Sequence, residues 1–217
     1  MWAQKNTFTA WCNHHLASRG VQFTDLIKDT KDGVLLLNLL EQLSGKSITF
    51  NKRPKMKVQF VENCQKVISF IKNEGLRFVS IGPEDLVDGN EKIIIGLIWC
   101  LILQYEFKGA SDIKFNLLDW VKKRLKSQNP NLVVSNFTLD WQSGLLLHAL
   151  VDSFHPGCLP PPEGTPEEIA QKAMSYAEEH FKVPKLMDPV ALVQVTDELS
   201  LITYLNGFVK ASQQEGG

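Results

Sequence analysis

No apolar run in this chain is long enough to cross a membrane. Residues 93–103 carry no polar side chain over eleven positions, whereas a spanning helix needs roughly 20. Glu91, Lys92, Glu106 and Lys108 stand close on either side of the run. Cysteine is scarce. Cys12, Cys64, Cys100 and Cys158 are widely spaced without a C-x-x-C, so they read as free thiols of a reducing compartment rather than a disulfide framework. The opening MWAQKNTFTAW has no basic-then-apolar leader pattern, and a cytoplasmic location is expected. The sequon Asn136-Phe137-Thr138 is then a chance match. Net charge is almost absent, −1 over 217 residues, which speaks against a nucleic-acid partner despite basic clusters at 52–57 and 122–126.

Catalytic signatures are missing as well: no G-x-G-x-x-G, Walker loop, G-x-S-x-G or H-E-x-x-H. Adjacent helical residues diverge by about 100°, so His14 and His15 cannot aim both rings at one ion. His148 and His155 lie two turns apart, but Pro156-Gly157 ends any helix there. No enzyme activity, cofactor or metal is expected.

What the chain does have is a repeat. FTAWCNHHL, from Phe8, lines up with LLDWVKKRL, from Leu117, at an offset of 109 residues; GVLLLNLL, from Gly33, lines up with GLLLHALV, from Gly144, at 111. Leu86-Val87 matches Leu192-Val193 at 106, and Trp99 matches Tyr204 at 105. Drifting offsets are what loop insertions produce. Two domains are expected, 1–108 and 113–217, joined by a hinge at 109–112 whose Gly109, Ala110 and Ser111 suit a short linker. The charge is divided between them: +3 up to Lys108 (14 Lys and Arg against 11 Asp and Glu) and −4 beyond it (9 against 13).

Each copy reads as all-α. Helices are expected over about 5–18, behind Asp32 as N-cap through VLLLNLLEQL, along the stripe Met56, Phe60, Val61, Cys64, Val67, Ile68 and Ile71, and after Asn90 as cap. In the second copy Thr165-Pro166-Glu167-Glu168 is a capping box with proline at the first helical position, opening a helix to about 181. Strand signals are confined to short pieces such as 132–134.

These motifs carry a family resemblance. NTFTAWCNHHL, DGVLLLNLLE, VSIGPEDLVDGN and IIIGLIWCLIL, with LLDWVKKRL, NFTLDWQSGLLLHALVDSFHPG and TDELSLITYL, resemble tandem calponin-homology domains. That pair forms the actin-binding domain of filamin, α-actinin, spectrin and dystrophin. DWQSG and ALVDSFHPG look most like filamin, with α-actinin next, and the resemblance covers essentially the whole chain. It implies four main helices per copy plus short connecting ones, no catalysis, and F-actin as partner. The first domain would supply most of the affinity and the second would modulate it. Dimerisation would belong to a rod outside this stretch.

Carried over by motif, the actin contacts fall in 4–18, 52–59 and 90–107. Lys5, Thr9, Asn13, Arg53, Lys55, Lys57 and Lys92 are the contact candidates, with Phe8, Trp11 and Leu16 assigned to the core. Lys122, Lys123 and Lys126 form a candidate phosphoinositide site, the alternative reading being a membrane-surface adaptor. Ile95, Ile98, Leu101 and Ile102 make an apolar face where the second copy has Ser200, Thr203, Asn206 and Gly207. The apolar face is either covered by a neighbouring segment or offered to a partner; the polar one reads as partly solvated. Between the domains, the family has a lysine where Leu199 stands. A cation over an aromatic ring is therefore not expected; Leu199 is expected to pack on Trp99 or a neighbouring aromatic, and Glu198 to pair with a basic side chain of the first domain.

Overall fold

The computed structural model describes residues 2–78 and 80–216, so Met1, Val79 and Gly217 of the expected domains lie outside the described residues. The described residues contain no strand. They form α1 (Trp2–Leu16), α2 (Val34–Ser44), α3 (Lys57–Asn73), α4 (Pro83–Val87), α5 (Glu91–Phe107), α6 (Ile113–Lys126), α7 (Leu145–Asp152), α8 (Pro166–Phe181), α9 (Pro189–Gln194) and α10 (Glu198–Glu215), with 3-10 turns at Ala17–Arg19, Lys28–Thr30 and Leu139–Trp141. The β-rich piece 132–134 is irregular. The chain divides into two compact units: an N-terminal unit, 8–110, and a C-terminal unit, 111–217, which also takes in the start of α1 up to Thr7.

The helices begin where the caps direct them. Asn90 accepts the Ile93 N–H at 3.4 Å at the head of α5. At α8, Thr165 Oγ1 accepts the Glu168 N–H (3.2 Å) while Glu168 Oε2 accepts the Thr165 N–H (2.8 Å), so two N–H groups that no helical carbonyl can reach are satisfied reciprocally. Ahead of α2 the structure differs from the expectation. The cap position is Gly33, at φ 75°, and Asp32 acts one residue earlier, its Oδ1 accepting the Val34 N–H at 3.0 Å. Gly144 repeats this before α7 at φ 76°, a left-handed conformation that costs least without a Cβ.

The N-terminal unit is built around α5. Ile94, Ile95, Leu97, Ile98, Leu101 and Ile102 are all buried, which is how a helix apolar on every side becomes the centre of a core. Each such side chain contributes about 1.5–3 kcal/mol on burial. Also buried in this unit are Leu36, Leu37, Leu39 and Leu40 of α2, Cys64, Val67, Ile68 and Ile71 of α3, and Phe8, whose ring stacks on Trp99 of α5 at 6.0 Å. The thiols of Cys12 and Cys64 are free and buried; burial pushes Cys64 up to about 12.

In the C-terminal unit α10 plays the same part, burying Leu201, Ile202, Tyr204, Leu205 and Phe208. Its polar face corrects the sequence reading. Ser200, Thr203 and Asn206 are buried, not partly solvated. Burial is tolerable because Ser200 Oγ donates to Asp197 Oδ2 (2.8 Å) and Thr203 Oγ1 to the Leu199 carbonyl (2.7 Å).

Candidate functional site

The segment leading into α3 is the most exposed basic feature of the N-terminal unit. Lys52, Arg53, Lys55 and Lys57 are all exposed, and beside them are two exposed apolar side chains, Met56 between Lys55 and Lys57 (58 % exposed) and Val58 directly after (56 %). Helical spacing placed Met56 on the buried stripe of α3. The helix starts one residue later, and Met56 has extended backbone (φ −114°, ψ 150°), so the 3.6-residue period does not reach it.

The backbone of this segment is held rather than loose. Gln59 Oε1 accepts the N–H groups of Lys55 (2.6 Å) and Met56 (3.1 Å). Buried Asn63 clamps the approach: its Nδ2 donates to the carbonyls of Asp32 (3.0 Å) and Asn51 (2.8 Å), and its Oδ1 accepts the Asn51 N–H (3.1 Å). Sequence reading missed Asn63, a polar residue on an apolar stripe whose value depends on loops distant in sequence. Lys57 Nζ lies 3.5 Å from Asp88 Oδ1, which brings the basic segment to the turn preceding α5; Lys92, in the first turn of that helix, is exposed.

The other expected contacts are divided. On α1, Phe8, Trp11 and Leu16 are core, as assigned. Lys5 and Thr9 are half-buried. The Asn13 carboxamide has an internal task, donating to the Phe23 carbonyl (2.9 Å) and accepting its N–H (2.7 Å). Farther along, Trp11 Nε1 donates to Glu106 Oε1 (2.9 Å), and His15 Nε2 lies 3.1 Å from the same oxygen, fastening α1 to the end of α5. Ile95, Ile98 and Ile102 are buried at 9 %, 0 % and 0 % exposure. Of the two readings left open for that face, the structure takes coverage.

The C-terminal unit places its candidates differently. Lys122, Lys123 and Lys126 are exposed on α6, with Lys123 Nζ 2.6 Å from Asp119 one turn earlier. Phe115 on the same helix is 72 % exposed. Arg124 leaves the basic row: its guanidinium lies 3.8 Å from the Phe154 ring centroid, and its Nε donates to Ser153. Burial draws its pKa down, opposed by Glu215. Glu198 is paired within its own unit, 2.8 Å from Lys114 Nζ. Leu199 is half-buried, and Trp99 stacks on Phe8. Among the described residues no helix is long and apolar enough to cross a membrane, and no cluster of three or more His, Cys, Asp or Glu could hold a metal.

The calponin homology (CH) domain profile matches residues 3–107 and again 112–214. Filamin-C of Rattus norvegicus is 39% identical over 232 aligned residues, covering 98% of this chain and 8% of that protein. α-Actinin-4 of Homo sapiens is 34% identical over 217, covering 96% of this chain and 24% of that one. The chain thus spans a small part of these relatives. Among solved structures, the actin-crosslinking core of Schizosaccharomyces pombe fimbrin superposes with a TM-score of 0.74 at 24% identity, over 94% of this chain and 49% of that chain, a likeness of fold.

Proposed function

The chain belongs to the calponin homology family, in two tandem copies, and on that ground we propose that it is a non-enzymatic F-actin-binding module. The first copy supplies most of the affinity and the second modulates it. The observation that carries this reading, beyond the tandem match, is the exposed strip at 52–58. Four cations set around Met56 and Val58 offer an acidic filament both long-range attraction and apolar area to bury. Lys5, Thr9 and Lys92 are further candidate contacts, while Asn13, Ile95, Ile98 and Ile102 serve the fold and not the contact itself. In a longer relative of filamin or α-actinin type, sequence outside this stretch would supply dimerisation, and the module would place the protein on the cytoplasmic actin cytoskeleton. High-speed co-sedimentation with F-actin tests the reading. Saturable pelleting with the filament is expected, and a chain that stays in the supernatant overturns it.

A second reading has its own observation. Phe115, Lys122 and Lys126 are exposed on one short helix, an aromatic and cations at a spacing suited to a phosphoinositide-bearing membrane surface. Flotation with phosphoinositide vesicles, compared with neutral ones, checks it.

A further inference from the structure

The two copies share the turn ahead of Gly33 and Gly144 but not what that turn displays. In the first copy it borders an open cleft of about 500 Å³ whose lining includes Gln22, Lys28, Lys31, Val34 and Phe60. Thr24 bonds to Asp29 as Ser135 does to Asp140, each through its N–H and its hydroxyl. The same offset of 111 residues that joins the glycines therefore puts Val133, Leu139, Gln142 and Leu145 in the places of Gln22, Lys28, Lys31 and Val34. The helix across the cleft corresponds too. A Cβ on Gly33 would meet Cys64 N at 3.1 Å, and one on Gly144 would meet Ala170 N at 3.3 Å. Phe60 is thereby matched by Pro166, which is exposed and followed by Glu167 and Glu168.

A polar cleft in the first copy has thus become an apolar surface in the second. Val133 is 77 % exposed, Leu139 70 % and Leu145 40 %, and large apolar side chains exposed together, with polar groups around them, mark contacts with other molecules. The loop that carries them is held in shape. Asn136 Oδ1 accepts the N–H groups of Thr138 (3.0 Å) and Asp140 (3.1 Å), and Trp141 Nε1 donates to the Asn136 carbonyl (2.9 Å), so little conformational freedom is left to lose on binding. The charge around it has one dominant sign. Residues 127–171 include five Asp and Glu and no Lys or Arg, whereas the matching 16–60 of the first copy has eight Lys and Arg. Lys185 shares a neighbouring cleft with Glu167 and Glu168, its Nζ donating to Gln171 Oε1 (2.8 Å), so one cation stands against the three carboxylates of Asp140, Glu167 and Glu168.

We propose that Val133, Leu139 and Leu145 form a docking surface for a basic amphipathic helix of another protein. Its aliphatic face would cover these three side chains, and its lysines or arginines would point to Asp140, Glu167 and Glu168. Nucleic acid, an anionic membrane and an acidic filament all carry the sign that this rim repels. The proposal does not rest on the actin reading.

The test is titration of the intact protein, with 13C-labelled valine and leucine methyls, by a synthetic amphipathic helix built from leucine and lysine. Saturable shifts are expected at Val133, Leu139 and Leu145, shrinking as salt rises. Both substituted side chains are exposed, so the double variant Val133→Gln, Leu139→Gln should keep its melting temperature while binding the peptide roughly tenfold more weakly. Co-sedimentation of that variant with F-actin should match the unaltered protein, which separates this proposal from the function above. A leucine–glutamate helix of the same length should not bind. The proposal is overturned by the absence of shifts at millimolar peptide, by shifts confined to other methyls, or by an equal response to the glutamate peptide. Loss of actin pelleting in the variant would overturn it by assigning the surface to the filament. Self-association of the protein alone in sedimentation velocity, abolished by the variant, would overturn it by assigning the surface to a second copy of this chain.

Discussion

Asn63 and the lysines it helps to present divide the work of the candidate interface between fold and recognition. The Asn63 carboxamide makes three hydrogen bonds from a nearly solvent-free position, 1 % exposed. Replacing it by leucine leaves backbone groups of Asp32 and Asn51 without those partners, at about 1–3 kcal/mol. Asn63→Leu should therefore lower the melting temperature and weaken F-actin binding together, read by calorimetry and co-sedimentation. The double reversal Lys55→Glu, Lys57→Glu should do the opposite: bind less well while folding almost unchanged. The Lys57–Asp88 pair is 74% and 65% exposed, a setting where ion pairs contribute at most about 1 kcal/mol. The loss of affinity should be largest at low salt and shrink as salt rises, because attraction between exposed charges is screened over roughly 8–10 Å at physiological ionic strength. An unchanged dissociation constant at low salt would remove the strip from the contact surface.

Among the elements, the ones legible in the sequence are those whose start is written in chemistry and whose length spans several turns. Asn90 before α5 and Thr165-Pro166-Glu167-Glu168 before α8 are such starts. The five-residue α4 and six-residue α9 are too short to show a period, although Pro83 and Pro189 mark their first positions. Periodicity does not say what covers an apolar face, so α5 reads equally as core or interface, and the polar α10 face reads as solvated because periodicity does not show that its hydroxyls find partners in the capping Asp197 and the Leu199 carbonyl. The close crossings are equally hidden. A Cβ on Gly33 would meet Asn63 Cβ at 2.8 Å, and one on Gly144 would meet the Pro166 carbonyl oxygen at 2.8 Å, so α3 and α8 each cross a glycine that also has positive φ. Gly144→Ala combines a left-handed alanine, about 1–2 kcal/mol, with a backbone clash. It should lower the stability of the C-terminal unit by about 2 kcal/mol or more in a denaturant melt, against a near-neutral Gly216→Ala control with open space around it. The Lys114–Glu198 pair joins α6 to α10 on the surface, 57% and 37% exposed. Glu198→Lys should cost no more than about 1 kcal/mol, and the exchange Lys114→Glu, Glu198→Lys should recover most of it. No recovery in that double-mutant cycle would show that the pair contributes through something other than its charges.

At the scale of the whole molecule, a duplicated fold has kept its core and changed its surface. α5 and α10 are each the most buried helix of their unit, although α10 buries Ser200, Thr203 and Asn206 where α5 buries Ile95, Ile98 and Leu101, and even the turn ahead of the second helix is repeated. Thr24 donates its N–H and Oγ–H to Asp29 (2.8 and 2.9 Å), and Ser135 donates the same two groups to Asp140 (2.7 and 2.8 Å). What differs is charge. The first copy stands at +3 and exposes a cationic strip; the second stands at −4 and replaces that strip by prolines and glutamates. An acidic filament should therefore be held by the first copy. Each unit has its own buried core, so each half of the chain can be examined separately, provided α1 is kept whole with the first. Residues 1–110 alone should co-sediment with F-actin, and residues 111–217 alone should pellet weakly at the same concentration. The difference should widen as salt is lowered, because it arises from net charge as well as contact. The two halves should respond alike to acid, since in the first copy Asp29 too, against the opposing pull of burial, is held below its ordinary value by hydrogen bonds from the backbone of Asp25 and Thr24. Hydrogen bonds from Ser135, backbone first and then hydroxyl, hold the Asp140 carboxyl below its ordinary value. A depressed folded pKa contributes stability that is present above the unfolded value near 4 and lost as pH falls through the folded one. Binding measured between pH 6 and 8 lies above that window, so a difference between the halves there reflects the interface and not unfolding of the weaker partner. If 111–217 bound as strongly as 1–110 across that range, affinity would have to come from surface the two copies share, and the strip at 52–58 would lose its assigned role.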